Sequence, residues 1–258
     1  MHTKSTIVIL FFFGFARIAN AQDTRFMRQG VIEFERSINM YAVLDRIVKN
    51  DGSISRREQF ESYKKNQPQF RTLLSSLSFS NGKTLFKPIY NEQPRLMMYE
   101  DYPEFTQINT VYTDLVNHQR VTQKKVYDQL FLLKDSTRTI KWKLTGETRE
   151  IAGYECQRAN AIIMDSVYVV AFYTEKIPVS GGPESFCGLP GMILGVALPH
   201  DHVTWFAKII IDKSITGNEV TEPKIGRGIT FAELIPKLKS ALKTYGNYAS
   251  EMLKSFLL

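Results

Sequence analysis

The sequence predicts a mainly β (α+β) domain, an antiparallel sheet with one helix in the N-terminal half and an amphipathic helical segment at the C-terminus. Three observations carry this. Apolar runs of strand length recur between turn signals from about Leu77 to Ile211. Helix-start signatures stand at two places, Ser55-Arg56-Arg57-Glu58 and Thr230-Phe231-Ala232-Glu233, each a hydroxyl residue followed three positions later by Glu. No Pro/Gly/Ser-rich linker, low-complexity tract or repeat divides the chain, so one β-rich domain with two helical segments accommodates it.

Taken in order, Gly30–Tyr41 reads as a half-buried strand, with Ile32, Phe34, Ile38 and Met40 on one face and Glu33 and Glu35 on the other. A helix opens at Ser55 and includes Phe60 and Tyr63; beyond Pro68 its apolar face continues through Phe70, Leu73, Leu74 and Leu77. Asn81-Gly82 marks a hairpin between Leu77–Phe79 and Thr84–Ile89. Strands follow at Val111–Val116, Val126–Leu133 and Thr139–Thr145, the last with Ile140, Trp142 and Leu144 on one face and Lys141 and Lys143 on the other. Tyr154–Ala161, Val167–Tyr173, Met192–Ala197 and Val203–Ile211 complete the set. Val167–Tyr173 is apolar on both faces and is expected to sit centrally. The C-terminal segment, 230–257, repeats apolar residues at helical spacing from Leu234 to Phe256, with Lys237, Lys239 and Lys243 making it basic. Gly246 is expected to split it.

Residues 1–21 have the form of a cleaved signal peptide: Lys4, an apolar run Ile7–Phe13, then Ala19-Asn20-Ala21. That run is shorter than the ~20 residues a membrane span needs. The mature chain is expected to begin at Gln22, to form a single domain over 22–258 and to carry no transmembrane segment. The full chain has a net charge of +7; without Lys4 and Arg17 it is +5, and the charges are interspersed. No basic stripe with readout elements suggests a nucleic-acid partner. Cys156 and Cys187 lie 31 positions apart. In an oxidising compartment a disulfide is the first reading, with two free buried thiols as the alternative.

The densest punctuation lies at Ile177-Pro178-Val179-Ser180-Gly181-Gly182-Pro183-Glu184-Ser185-Phe186-Cys187-Gly188-Leu189-Pro190-Gly191-Met192-Ile193-Leu194-Gly195. Its apolar residues are too many for a solvated loop, so it is expected to fold back onto the sheet. Pro190 fixes its own φ and extends Leu189. That predicts a type II turn with positive φ at Gly191, directing Leu189 and Met192 inward. Gly188-Leu189-Pro190-Gly191-Met192-Ile193-Leu194 closely resembles the motif that names the GLPGLI family (Porph_ging) of exported Bacteroidota proteins. Trp142 through Ile151-Ala152-Gly153-Tyr154-Glu155-Cys156-Gln157-Arg158-Ala159 and Tyr173-Thr174-x-x-Ile177-Pro178-Val179-Ser180-x-Gly182-Pro183 are similar to the family's upstream segments. The resemblance is strong over about 125–211. Departures are Met192 for a Leu, Ala152 for a Gly, and Cys187, which is not a family cysteine. The resemblance implies a periplasmic or envelope location and brings no established activity. The order of strands and loop also resembles the curved half-barrels of lipoprotein carriers, an analogy of fold alone.

Chemical signatures are sparse. Ser185 sits in Gly182-x-x-Ser185-x-x-Gly188, which is not a nucleophile elbow. Cys187 with His200 or His202 would make a thiol–imidazole pair only if unbonded. His200-Asp201-His202 would suit Zn or Cu, given a third ligand such as His118 or a carboxylate. Glu184 and Asp165 are lone carboxylates, and no cofactor motif is legible. The expectation is a non-catalytic envelope module that binds a hydrophobic ligand or an outer-membrane protein. Phe186, Gly188, Leu189, Pro190, Gly191 and Met192 would form its contact loop; the alternative is a metal-dependent protein using His200 and His202.

Overall fold

The structure is a computed structural model that describes residues 26–90, 99, 102–216 and 218–258. The expected signal peptide, 1–21, and the start at Gln22 lie outside the described residues. The described elements run β1 (Gly30–Asn39), α1 (Met40–Asp51), α2 (Ile54–Asn66), β2 (Phe70–Ser80), β3 (Lys83–Ile89), α3 (Pro103–Thr106), β4 (Asn109–Asp114), β5 (Gln119–Val126) and β6 (Gln129–Ser136). They continue with β7 (Lys143–Ile151), β8 (Tyr154–Ile163), β9 (Val167–Thr174), β10 (Met192–Leu198), β11 (Val203–Ile211), β12 (Arg227–Ile229), α4 (Phe231–Ala241), a 3-10 segment (Leu242–Tyr248) and α5 (Ala249–Leu257).

All twelve described strands join one sheet in the order β12-β6-β5-β4-β3-β2-β1-β11-β10-β9-β8-β7, which does not close into a barrel. The pairings are antiparallel except that of β12 with β6. A sheet this wide curls rather than staying flat. Strict alternation in β1 places Ile32, Phe34, Arg36 and Ile38 on the inner face. There Ile32, Phe34 and Ile38 join Leu77, Phe86, Val126 and Trp205 in one core with α1, α4 and α5. The opposite face is covered in part by the 212–226 connection, whose Ile215 and Val220 pack on Leu85, Tyr112, Val121 and Leu132.

Several expectations are met with residue precision. Asn81 and Gly82 form the β2–β3 turn with positive φ at both positions, +50° and +71°, as a two-residue hairpin of this twist requires. Thr230 caps α4 with a reciprocal box: its hydroxyl accepts from the Glu233 N–H, and the Glu233 carboxylate accepts from the Thr230 N–H at 2.8 Å. Gly246 breaks the C-terminal helix at φ 55°, ψ −130°.

Others are corrected. The first strand ends at Asn39, which caps α1 by accepting from the Ala42 N–H. Met40, Val43, Leu44, Ile47 and Val48 form that helix's buried stripe, so the period switches from two to 3.6 with no intervening breaker. α2 is capped by Ser53 rather than Ser55. Residues 70–80 are a strand and do not extend the helix: Leu73, Leu77 and Phe79 alternate inward, and β2 pairs with β1 along its whole length from Gly30↔Phe79 to Asn39↔Phe70. The expected strand Val126–Leu133 straddles a turn at Tyr127-Asp128 between β5 and β6. The strand expected at Thr139–Thr145 begins only at Lys143; Ile140 and Trp142 reach the core from the connection before it, and Leu144 is exposed. β9 lies between β8 and β10, third from the sheet edge rather than at its centre.

Candidate functional site

The Gly/Pro-rich segment between β9 and β10 folds back along the inner side of the sheet and is laced to itself. Met192 N–H donates to the Ile177 carbonyl (2.9 Å), Ile193 N–H to Gly181 (2.8 Å) and Gly188 N–H to Ser180 (3.1 Å). The Ser180 hydroxyl donates to the Leu189 carbonyl (2.6 Å), and Trp142 Nε1 donates to the Cys187 carbonyl (2.9 Å). Phe186, Leu189, Gly191 and Met192 are buried, with Gly188 and Pro190 at the surface. Leu189 is 2% exposed and belongs to the main core, and Phe186 packs tilted on Trp205 with ring centroids 6.2 Å apart.

The turn chemistry differs from the expected one. Gly188, not Gly191, has the left-handed conformation, with φ +95°. Gly191 is needed for a different reason: a methyl there would run into the main-chain carbonyl of Thr174 where the loop crosses the end of β9. Glu184, in the same loop, is also left-handed at φ +52°, a conformation that costs a non-glycine residue ~1–2 kcal/mol.

The disulfide expectation is not met: both cysteines are free and buried. Arg149, opposite Cys156 on β7, lays its guanidinium over Phe172 and Phe206 on the sheet's outer side. Cys156 shares that face because its second neighbour Arg158 pairs with Phe172. Cys187 lies inside, its thiol directed at the Arg138 carbonyl (3.7 Å). The sheet separates the two sulfurs. Burial drives the Cys156 thiol up to about 12 and raises that of Cys187, so neither is a ready nucleophile.

His200 and His202 occupy the β10–β11 turn. The His200 carbonyl accepts from Arg46 (3.0 Å) and its ring lies 6.2 Å from Tyr168. His202 is left-handed at φ +58°, and burial, then Arg46, lowers its imidazole below the usual range. Among the described residues no group of three or more His, Cys, Asp or Glu side chains is placed to hold a metal ion. Ser185 donates to the Leu258 carbonyl (3.4 Å).

What sequence reasoning missed is a buried polar cluster on the inner face, directly beside the loop. Arg36, on β1, donates to the carbonyls of Gln107 (2.7 Å) and Glu104 (3.0 Å) and stacks 5.1 Å from the Trp205 ring. Gln107 donates to Asn109 (2.8 Å), and Asn109 donates to the Glu184 carboxylate (2.9 Å). Tyr248 donates to Glu104 (2.9 Å). On β5, Arg120 and Lys124 alternate inward with Thr122 and are buried. Lys124 Nζ donates to the Phe256 carbonyl (2.6 Å), and Arg138 to that of Leu257 (2.8 Å). Arg120 is 3.8 Å from Asp135 and lies over Phe231. Burial lowers the Lys124 ammonium to about 7, against the pull of Glu184, and raises the Glu184 carboxyl despite Asn109, Arg36 and Lys124. Arg138 is lowered to about 10 by burial and by Arg120. A cavity of about 50 Å³ remains beside Arg36, Asn109 and Glu184. The strand alternation of Arg120-x-Thr122-x-Lys124 was the available signal: it puts charge on the face whose neighbours are apolar.

None of the curated proteins matches the chain. Two solved structures of PNGF-II show a partial similarity to it. The P21 crystal form has a TM-score of 0.49 at 14% identity, covering 81% of this chain and 33% of that one. The C2 form has a TM-score of 0.47 at 14% identity, covering 88% and 33%. The chain therefore spans about one third of the length of those proteins. Residues 162–195, from the end of β8 through the buried loop to Gly195, match the family described as "Protein of unknown function (Porph_ging)", the family its Gly188–Leu194 motif resembles.

Proposed function

We propose that the protein is an exported, non-catalytic module of the cell envelope whose open sheet takes an apolar chain on its inner face, beneath the C-terminal helices. The observation that carries this reading is that the sheet stays unclosed while its apolar inner face is covered by one continuous C-terminal arm, 231–257, kinked at Gly246. Leu234, Leu238, Leu242, Met252 and Phe256 of that arm fill the trough, and they offer apolar contacts that an acyl chain could replace like for like. The buried loop supports the floor of the trough; its two surface positions, Gly188 and Pro190, are small and make a limited contact area. No helix among the described residues is long and apolar enough to cross a membrane. The reading is consistent with a module that meets lipid at the bilayer surface.

The test uses the mature protein and dodecyl maltoside below its critical micelle concentration, followed by calorimetry and hydrogen exchange. Saturable binding with faster amide exchange across 231–257 is the expected result. If folded protein binds no twelve-carbon chain saturably, the reading fails.

A further inference from the structure

We propose that Arg120, Lys124 and Arg138 form a site for the anionic headgroup, phosphate or carboxylate, of an amphiphile, and that the carbonyl end of α5 occupies this site in the resting protein. This deepens the functional reading above and rests on it. Lys124 and Arg138 meet at the last turn of α5 and Arg120 shares the inner face of β5 with Lys124, while Arg36, Lys124 and Arg138 all act on the charge of Glu184. Glu184 is the buried carboxylate among them, and Asp135 is partly exposed at the rim. Two of the cations donate to adjacent main-chain carbonyls at 2.6 and 2.8 Å, acceptors whose place the oxygens of an anion would take. A helix C-terminus offers only about half a negative charge. An ionised oxygen accepting the same bonds brings a full counter-charge to donors that are themselves cationic.

A second observation points to a ligand. Arg120 is 6% exposed, and its Nη1 is buried with no hydrogen-bond partner. Such a donor is costly unless something completes it. The signature loop frames the place: the Cys187 thiol lies 3.7 Å from the Arg138 carbonyl and feels the charges of Arg120 and Arg138, and Glu184, in a strained conformation, accepts from Asn109. The carbonyls that now fill the cradle belong to the same arm that covers the apolar trough. Displacing α5 therefore exposes headgroup site and chain site together.

Calorimetry on the full mature protein at low salt tests this with dodecyl phosphate, dodecyl maltoside and inorganic phosphate. Dodecyl phosphate should bind about tenfold or more tighter than dodecyl maltoside, the factor one charge-assisted hydrogen bond supplies. That preference should collapse in Arg138→Gln and in Arg120→Gln, while both variants still bind dodecyl maltoside saturably. Retained dodecyl maltoside binding also shows that the variants are folded. Equal affinity for the two twelve-carbon ligands in the wild type would overturn the headgroup site and leave the functional reading standing. Failure of both to bind would overturn the functional reading itself. Inorganic phosphate binding as tightly as dodecyl phosphate would make this a site for a free anion and overturn its assignment to an amphiphile.

Discussion

Replacing Gly191 by Ala isolates one physical cause. A Cβ built there overlaps the Thr174 carbonyl oxygen and lies 2.6 Å from the Thr174 carbonyl carbon and 2.9 Å from Glu175 Cα. All three are main-chain atoms at the end of β9, so no side-chain rotation relieves the clash. The backbone of Gly191 is not left-handed, so conformational strain adds nothing and the cost is steric. Overpacking of a tight interior costs ~1–3 kcal/mol, and an immovable neighbour puts this case at the upper end. For a domain of this size each kcal/mol lowers the melting temperature by about 2–4 °C, so the expected fall is roughly 6–12 °C. Two companions calibrate it. Gly188→Ala meets no atom closer than Trp142 Nε1 at 3.6 Å but must hold φ +95°, a strain of ~1–2 kcal/mol. Gly228→Ala meets nothing within 4 Å and needs no left-handed φ; it should stay within about 0.5 kcal/mol of wild type. Differential scanning calorimetry on the three variants gives the ranking. A Gly191→Ala protein melting within about 1 °C of wild type, or one more stable than Gly188→Ala, would refute the close-approach argument.

Leu189→Ala should destabilise by ~2–5 kcal/mol, since the side chain is 2% exposed in the core; an unchanged urea midpoint would mean that the motif leucine is not a core anchor. Cys156 and Cys187 should both carry free thiols, resist alkylation in the native state and react after unfolding without reductant; a linked peptide in non-reducing mass spectrometry would contradict the separation by the sheet. Lys124 is held at about 7 in the folded protein against an ordinary 10.5. Between these values the unfolded chain binds more protons than the folded one, so this group's contribution to stability rises with pH across that window and is lost as pH falls through about 7. The stability difference between wild type and Lys124→Met should therefore shift in favour of wild type from pH 7 to 10, and a pH-independent difference would show that the ammonium is not buried.

Much of the strand set was legible because local rules and packing agreed. Val203–Ile211 alternates over a solvated face, Asn81-Gly82 permits only a tight hairpin, and the Thr230–Glu233 box satisfies its own donors. The failures came where two periods fit the same residues. Phe70, Leu73, Leu74 and Leu77 match a helical stripe, yet the ten-residue ladder between β1 and β2 decides for a strand, and no local pattern reports on a partner so distant. Met40 was counted on a strand face because β1 passes into α1 with no Gly or Pro between them. The candidate site was half legible. The loop's burial followed from its apolar content, but the reason for Gly191 lay in Thr174, a contact between backbones that leaves no mark in residue type. Arg36, Arg120 and Lys124 look like ordinary surface charge among 33 Lys and Arg unless the alternation of β5 is followed: it turns Arg120 and Lys124 inward, α5 covers Lys124 through the Phe256 carbonyl, and Gln107, Glu104 and Trp205 enclose Arg36.

The position of β1 has a consequence for how fast the chain can assemble. It pairs with β2 on one side and with β11 on the other. The first ladder closes a loop of moderate length, whereas the second joins Ile38 to Val203. Closing so long a loop costs roughly 4–5 kcal/mol of chain entropy before any contact compensates it. Topologies dominated by such distant pairings fold in milliseconds to seconds rather than microseconds. The strands from β1 to β6 can zip as successive neighbours, and β7 to β11 likewise, but among the described strands the two halves pair only along the β1–β11 seam. Nucleation is thus divided between two locally connected meanders, and their docking is the late and slow event. A chain paused with residues 203–211 still unavailable would present β1 as a bare hydrogen-bonding edge with an apolar face, open to pairing with another copy.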